Sequence, residues 1–237
     1  MIQVEGIFSG GSSISAPIIG EDFNWSGSDG TYQVLDDGGG NWRIKFLSSG
    51  TFTPLKNMVI DAFLVGGGGG AGSSYCGEGG AGYTTTVRSV VLTANTAYSI
   101  VVGAAGTNGN PSSAGGETTA FTASAAGGKN TSNGTSSSKR PGGAGGSGGA
   151  GYVSPVATTT GGTDGGDGTS SATTGGKGQG TTTREFGEAD GTLYASGGGS
   201  NLTATVSNSG NGGRNGITSI EPADGIVVIR QHKEVAA

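Results

Sequence analysis

Met58-Val-Ile-Asp-Ala-Phe-Leu-Val65 runs directly into Gly66-Gly-Gly-Gly-Gly70, and far downstream Gly225-Ile-Val-Val-Ile-Arg230 closes the glycine-rich region. Both apolar runs are short and rich in β-branched residues, the pattern of strands in a sheet. Between Gly66 and Gly199 lie 39 of the chain's 54 glycines. The sequence therefore reads as a glycine tract held at both ends by one folded layer.

A flexible linker is also rich in Gly and Ser. This tract, however, is punctuated by Tyr83, Phe121, Tyr152, Phe186 and Tyr194, aromatics for which a linker has no use. Ordering a glycine costs roughly 0.5–1 kcal/mol more than ordering an alanine, so an ordered tract needs a regular lattice of partners. The lattice that suits glycine is a bundle of extended threefold helices of the polyproline II type, about 3.1 Å per residue and without internal hydrogen bonds. Each buried N–H and C=O must then find a partner on a neighbouring helix. Only residues without Cβ let the backbones approach on all sides, close enough for Cα–H···O contacts. The spacing Gly142, Gly143, Gly145, Gly146, Gly148, Gly149, Gly151 is not collagen's every-third repeat, and six prolines are too few for collagen.

Only 32% of the 237 residues are hydrophobic and 6% aromatic, too little for a conventional core of that size. The apolar residues gather in short runs. Trp42, Ile44 and Phe46 alternate with Arg43 and Lys45; Val87 to Leu92 and Tyr98 to Val102 form two more. No window carries a helical period. The expected class is all-β: a small β-sheet layer plus a bundle of polyglycine II helices, with no α-helix. The chain divides into an N-terminal arm or docking segment, residues 1–41, and a glycine-rich domain, residues 42–237. In the latter, strands at about 42–65, 83–103 and 225–230 flank glycine helices within 66–200.

A net charge of −5 argues against nucleic acid, which needs a basic face. No run approaches the roughly 20 apolar residues of a membrane span, and the first residues lack the pattern of a signal peptide. A lone cysteine, Cys76, precludes an internal disulfide framework. The expectation is a protein made in a cytosol and carried out of it, if at all, in a particle released by lysis.

Several ordered blocks resemble one family. Asp61-Ala-Phe-Leu-Val-Gly-Gly-Gly-Gly-Gly-Ala-Gly72, Gly79-Gly-Ala-Gly-Tyr-Thr-Thr-Thr86, Thr96-Ala-Tyr-Ser-Ile-Val-Val-Gly103, Ala125-Ala-Gly-Gly128, Thr182-Thr-Arg-Glu-Phe-Gly-Glu188, Leu193-Tyr-Ala-Ser-Gly-Gly-Gly199 and Gly225-Ile-Val-Val-Ile-Arg230 are similar to the glycine-rich domain of phage tail-fibre proteins and phage-derived bacterial genes. The likeness spans about residues 42 to 230. It extends to tip adhesins in which a glycine-helix sandwich presents loops to a bacterial receptor. Residues 201–207, Asn-Leu-Thr-Ala-Thr-Val-Ser, depart from the glycine pattern.

Catalytic and ligand-binding signals are weak. Gly67-x-Gly69-x-x-Gly72 satisfies the dinucleotide fingerprint formally, but Ser73-Ser-Tyr-Cys-Gly follows where a helix is required. Asp164 and Asp167 among glycines resemble one copy of a calcium repeat, yet stacked copies supply one another's ligands, and two turn-forming aspartates are the plainer reading. Glu185, Glu188 and Asp190 are imaginable as paired acids for glycoside cleavage, while the resemblance makes them loop residues. His232, the only histidine, sits in a polar tail and reads as solvated, which leaves a Ser-His-Asp triad little to build on. Cys76 lies in a glycine loop with no histidine nearby in sequence to activate it. No cofactor and no metal is expected.

The resemblance implies a non-enzymatic virion structural protein, a tail-fibre or receptor-binding module acting with other virion proteins and without membrane insertion. Two alternatives stand beside it. An ice-binding glycine-helix protein is suggested by the triplets Thr84–Thr86, Thr158–Thr160 and Thr181–Thr183; a carbohydrate-active enzyme is the other. Sugar recognition favours aromatic faces beside polar groups, so Tyr75, Lys139, Arg140 and Tyr152 are the candidates for contact with a bacterial surface glycan or protein. Phe8, Ile14, Ile18, Ile19, Phe23 and Trp25 read as an exposed apolar set, too sparse for its own core, that docks the arm in a homo-oligomer, taken as a trimer.

Overall fold

A computed structural model of the chain describes residues 16–135, 140–152, 159–170, 174–214 and 220–232. The described part is all-β. Ten strands run in chain order: β1 (Phe23–Trp25), β2 (Tyr32–Gly38), β3 (Asn41–Phe46), β4 (Gly50–Pro54), β5 (Met58–Val65), β6 (Thr84–Leu92), β7 (Tyr98–Val101), β8 (Thr118–Ala120), β9 (Ala123–Ala125) and β10 (Ile226–Gln231). One short 3-10 turn covers Glu185–Gly187. The strands form two antiparallel five-stranded sheets, ordered β1-β4-β7-β8-β9 and β2-β3-β10-β5-β6.

The two runs that bracket the glycine tract are neighbours. β10 lies between β3 and β5, with Ile226 opposite Val65 and Arg230 opposite Asp61. Burial of both faces explains the consecutive apolar residues Ala62–Val65 in β5 and Ile226–Ile229 in β10. On one side, Ile60, Ala62, Leu64, Val227 and Ile229 pack with Phe46 and Trp42 against Phe52, Ile100 and Ala120 of the other sheet, forming a sandwich core. On the other side, Phe63, Val65, Ile226 and Val228 pack under Phe186, Tyr194, Ala81 and Ala195. Strand alternation sends successive residues to opposite faces, so each of these two strands serves two cores.

Residues 16–41 are not an arm. β1 pairs with β4, and Phe23 and Trp25 lie fully inside the sandwich core. Phe23 meets Phe52 at 5.5 Å and Trp25 meets Phe46 at 4.8 Å between ring centroids, while the Trp25 indole N–H donates to Thr31 Oγ1 at 3.0 Å. β2 then pairs with β3 in the second sheet. The boundary expected at residue 42 therefore falls inside a folded body. In sequence Phe23 and Trp25 are too sparse for a core of their own, and the rest of that core comes from β3 to β10, strands that lie far along the chain. Ile18 and Ile19 do remain exposed, at 49% and 42%; Phe8 and Ile14 lie outside the described residues.

The glycine runs carry neither helical nor strand hydrogen bonds, and their partners repeat every three residues. Gly66 and Gly69 donate to the carbonyls of Tyr83 and Gly80, Gly67 and Gly70 to those of Gly116 and Ser113, and Gly68 to that of Ala223. The next segment does the same: Gly79 and Gly82 reach Gly213 and Gly210, Gly80 and Tyr83 reach Lys129 and Ala126, and Glu78 and Ala81 reach Ala150 and Ser147. Each segment thus bonds to three neighbours in turn, and residue i+3 returns to the neighbour of residue i. The packing has no room for side chains. A Cβ on Gly68 would fall on the Asn211 carbonyl, and one on Gly145 on the Ala81 carbonyl.

Candidate functional site

Two surfaces carry chemistry, and the first unites three of the four residues expected to contact a receptor. Tyr75 sits at the turn of the loop leaving Gly66–Gly70, with φ +48° and 43% of its surface exposed. A non-glycine residue in the left-handed region needs support from its surroundings. Here Asn133 supplies it: its Oδ1 accepts from Ser73 N at 2.6 Å and its Nδ2 donates to Ser73 Oγ at 2.9 Å, while Gly134 N donates to Ser74 O. Tyr152 comes from the end of the Gly148–Gly151 segment, and its ring lies 5.6 Å from that of Tyr75 at 55°. Tyr152 N donates to Arg140 O at 3.4 Å. Gly77, two residues beyond Tyr75, lies so close to Pro141 that a Cβ would strike its carbonyl. Two tyrosine faces and the exposed Arg140 segment therefore share one end of the glycine lattice. Lys139 lies outside the described residues.

Cys76, beside Tyr75, is not poised for chemistry. Its Sγ donates to Gly72 O at 2.9 Å. Burial, and secondarily the Glu78 carboxylate, push the thiol up to about 11.

The second surface is the outer face of the β2-β3-β10-β5-β6 sheet, where charges alternate across the strands. Arg43 pairs with Asp37 at 2.7 Å and with the buried Glu185 at 2.8 Å; Arg230 pairs with Glu188 at 2.7 Å and with Asp61 at 3.2 Å; Arg88 pairs with Asp61 at 3.2 Å. Arg43, Glu185, Glu188, Asp190 and Arg230 line a cleft of about 330 Å³. Glu185 also accepts from the Tyr194 hydroxyl at 3.4 Å, and burial, with the nearby carboxylate, drives that phenol well above its ordinary range. Asp37 above all, then Glu185, strengthens the hold of Arg43 on its proton. The guanidinium of Arg230 stacks 4.1 Å over the Phe186 ring. Glu185 and Glu188, imagined as paired acids, are each held by an arginine.

His232 differs from its expectation. It is not a solvated tail residue: its backbone N donates to Val59 O at 3.0 Å, its Nδ1 lies 2.6 Å from Asp61 Oδ1, and its Nε2 lies 3.1 Å from Ser89 Oγ. Neither partner was legible, because they stand 171 and 143 residues away and meet only through the strand register.

Asp164 and Asp167 do what turn aspartates do. Asp164 accepts from the Thr182 hydroxyl, Thr183 N and Arg184 Nε, and Asp167 from Lys177 Nζ and Gly178 N. Among the described residues, no group of three or more His, Cys, Asp or Glu side chains is placed to hold a metal ion. Of the threonine triplets, Thr183 is fully buried and donates to Tyr194 O, Thr85 donates to Ser124 O, and Thr158 lies outside the described residues.

Comparison with curated proteins finds no match. The family described as a glycine-rich domain matches residues 47–230, from just after β3 to the closing strand β10. The match covers well over half of the chain, which belongs to this glycine-rich domain family.

Proposed function

We propose that the chain is a virion structural protein of a phage, a tail-fibre or receptor-binding module that presents the Tyr75–Tyr152 pair to a glycan on the bacterial surface. The observation that carries the reading is the convergence of two tyrosine rings at 5.6 Å beside the Arg140 segment, at one end of a tightly bonded backbone lattice. Sugars stack their C–H faces on aromatic rings while adjacent polar groups bond their hydroxyls. Loops on a rigid scaffold are the common place for such contacts. The block resemblance to phage tail-fibre domains points the same way. The protein is made in the host cytoplasm and built into the virion as a homo-oligomer, a trimer, docked through its N-terminal segment, where Ile18 and Ile19 remain as the exposed apolar pair.

The test is adsorption of the purified protein to host cells, together with mass spectrometry and immunogold labelling of virions. The triple variant Tyr75→Ala, Arg140→Ala, Tyr152→Ala loses cell binding and melts close to the parent temperature. Full adsorption by that variant removes these residues from the reading. Absence of the protein from virions removes the virion role.

A further inference from the structure

The pairing of β5 with β6 breaks register between Ile60 and Ala62, because Ile60 opposes Val90 while Ala62 opposes Val87. Asp61 therefore faces two residues, Arg88 and Ser89, at a bulge, a device that re-aims side chains. Ser89 takes φ +56°, a left-handed conformation that few non-glycine residues adopt without support. Asp61 Oδ1 gives that support by accepting from Ser89 N at 3.1 Å. The same Oδ1 lies 2.6 Å from His232 Nδ1, and His232 Nε2 lies 3.1 Å from the exposed Ser89 Oγ.

These three contacts have a direction. Asp61 is 1% exposed, and its Oδ2 takes Nη1 of Arg88 and Nε of Arg230, both at 3.2 Å. An ionised carboxylate only accepts, so the imidazole proton belongs on Nδ1 and the Nε2 lone pair faces the serine hydroxyl. A hydroxyl, an imidazole base and a buried carboxylate that fixes the tautomer form the arrangement by which a serine nucleophile is recognised, whatever the fold or chain order. The surroundings suit a small ester. Val59 and Val91 are cross-strand partners, exposed at 42% and 71%, and His232 N is bonded to Val59 O, so an apolar shelf adjoins the imidazole. Arg88, half-exposed and next to Ser89, donates to Asp61 Oδ2 at 3.2 Å and to Phe186 O at 2.7 Å, and so helps to hold the carboxylate that orients the imidazole.

We propose that Ser89, His232 and Asp61 form an acyl-transfer site for esters of short apolar acids, with Ser89 and His232 catalytic and Asp61 positioning. Ser89 Oγ adds to the ester carbonyl as its proton passes to His232 Nε2. The tetrahedral adduct collapses, the carbon–alkoxy bond breaks, and the alcohol leaves with that proton. Water then attacks the acyl-serine, again giving a proton to Nε2, and the acid departs as Ser89 regains its hydrogen. Ester and water thus become acid and alcohol, with no other reactant. This activity is independent of the receptor reading.

The experiment treats the full-length folded chain with a fluorophosphonate probe, in which Ser89 Oγ displaces fluoride from phosphorus, and locates the adduct by peptide mass spectrometry. Hydrolysis of p-nitrophenyl butyrate is followed in parallel. We expect one adduct on Ser89, none on heat-unfolded protein, and loss of both labelling and hydrolysis in Ser89→Ala. His232→Gln, with its melting temperature measured beside the parent's because His232 bonds the buried Asp61, lowers the labelling rate by about a hundredfold or more, the range for loss of a general base. Ser124→Ala labels as the parent does. The proposal is overturned if the folded parent takes no label on Ser89, if unfolded protein labels equally, or if His232→Gln labels at the parent rate.

Discussion

Asp61 and Arg230 stand directly opposite each other in the β5–β10 ladder, with the arginine Nε 3.2 Å from Asp61 Oδ2 and the carboxylate sealed from solvent. Arg230 is itself only 9% exposed and is shared with Glu188. Leaving a buried charge uncompensated costs about 3–5 kcal/mol, and because Glu188 still holds Arg230 the loss falls below that range, at about 1–3 kcal/mol for a disrupted buried hydrogen bond. Asp61→Asn should therefore lower the unfolding free energy by that amount in urea titration. A loss under about 1 kcal/mol would show that water reaches Arg230 readily.

Acid should act through the same carboxylates. Burial pushes the Asp61 carboxyl upward, but hydrogen bonds from His232, Ser89 N and Arg230 outweigh it and hold the group below its ordinary range. Asp164 is lowered chiefly by the Thr182 hydroxyl and Asp22 chiefly by Lys56. Unfolded aspartate titrates near pH 3.9, so below that pH the unfolded chain binds more protons than the folded one. The stability these groups contribute is fully present above about pH 4 and is lost as pH falls through the lower folded values. Calorimetry should give a melting temperature that drops steeply below about pH 4. A temperature that holds at about pH 2.5 would contradict this assignment.

The three-residue period of the glycine bonds makes a sharp mutational contrast. A side chain at Gly145 meets the Ala81 carbonyl, which is itself bonded to Gly146 N, whereas a Cβ at the exposed Gly166 meets only Thr163 O, at 3.1 Å within a turn. Overpacked cores lose about 1–3 kcal/mol when side chains can move aside. At Gly145 nothing can, so Gly145→Val should exceed that range and Gly166→Ala should fall well within it. Equal melting temperatures for both variants would mean that the segments are not closely packed.

How much of this was legible depends on where each signal resides. β5 and β10 could be read because burial on both faces leaves the consecutive apolar residues Ala62–Val65 and Ile226–Ile229. The β8–β9 hairpin could not. Its two-residue turn is Phe121-Thr122, both at positive φ, where Asn-Gly is the usual choice. Phe121 is held there by the rings of Tyr98 at 5.9 Å and Phe52 at 6.4 Å, a tertiary cause with no local sequence trace. Tyr75 and Tyr152 could each be read as loop aromatics, but their contact depends on which glycine segments are neighbours. The environment of His232 was hidden for the same reason, since a bulge in a remote strand pair sets it.

Cys76 gives a prediction that needs no substitution. With its thiol pushed up to about 11 from an ordinary value of 9.0, the thiolate fraction near pH 8 falls about a hundredfold. Iodoacetamide should modify the native protein about a hundredfold more slowly than the urea-unfolded protein at that pH. Comparable rates would mean that the loop bearing Tyr75 opens freely and that the Cys76–Gly72 hydrogen bond is not persistent.

The N-terminal strand offers the clearest separation of core from surface. Trp25 fills space against Phe46, and even a Cβ on Gly50 or Gly27 would collide with its indole, so the pocket around it is closed on several sides. Truncating a buried aromatic to alanine typically costs about 3–5 kcal/mol, and Trp25→Ala should fall in that range or prevent folding of the sandwich altogether. Ile18 and Ile19 lie only a few residues earlier, yet half of each surface faces solvent. The double change Ile18→Ser, Ile19→Ser should shift the unfolding free energy by less than about 1 kcal/mol, as exposed substitutions do. If these two residues cover a partner surface in the assembled protein, the same double variant should lower the molar mass seen by light scattering while the monomer keeps its melting temperature. A double variant that keeps both the parent mass and the parent melting temperature would leave Ile18 and Ile19 with no role in assembly.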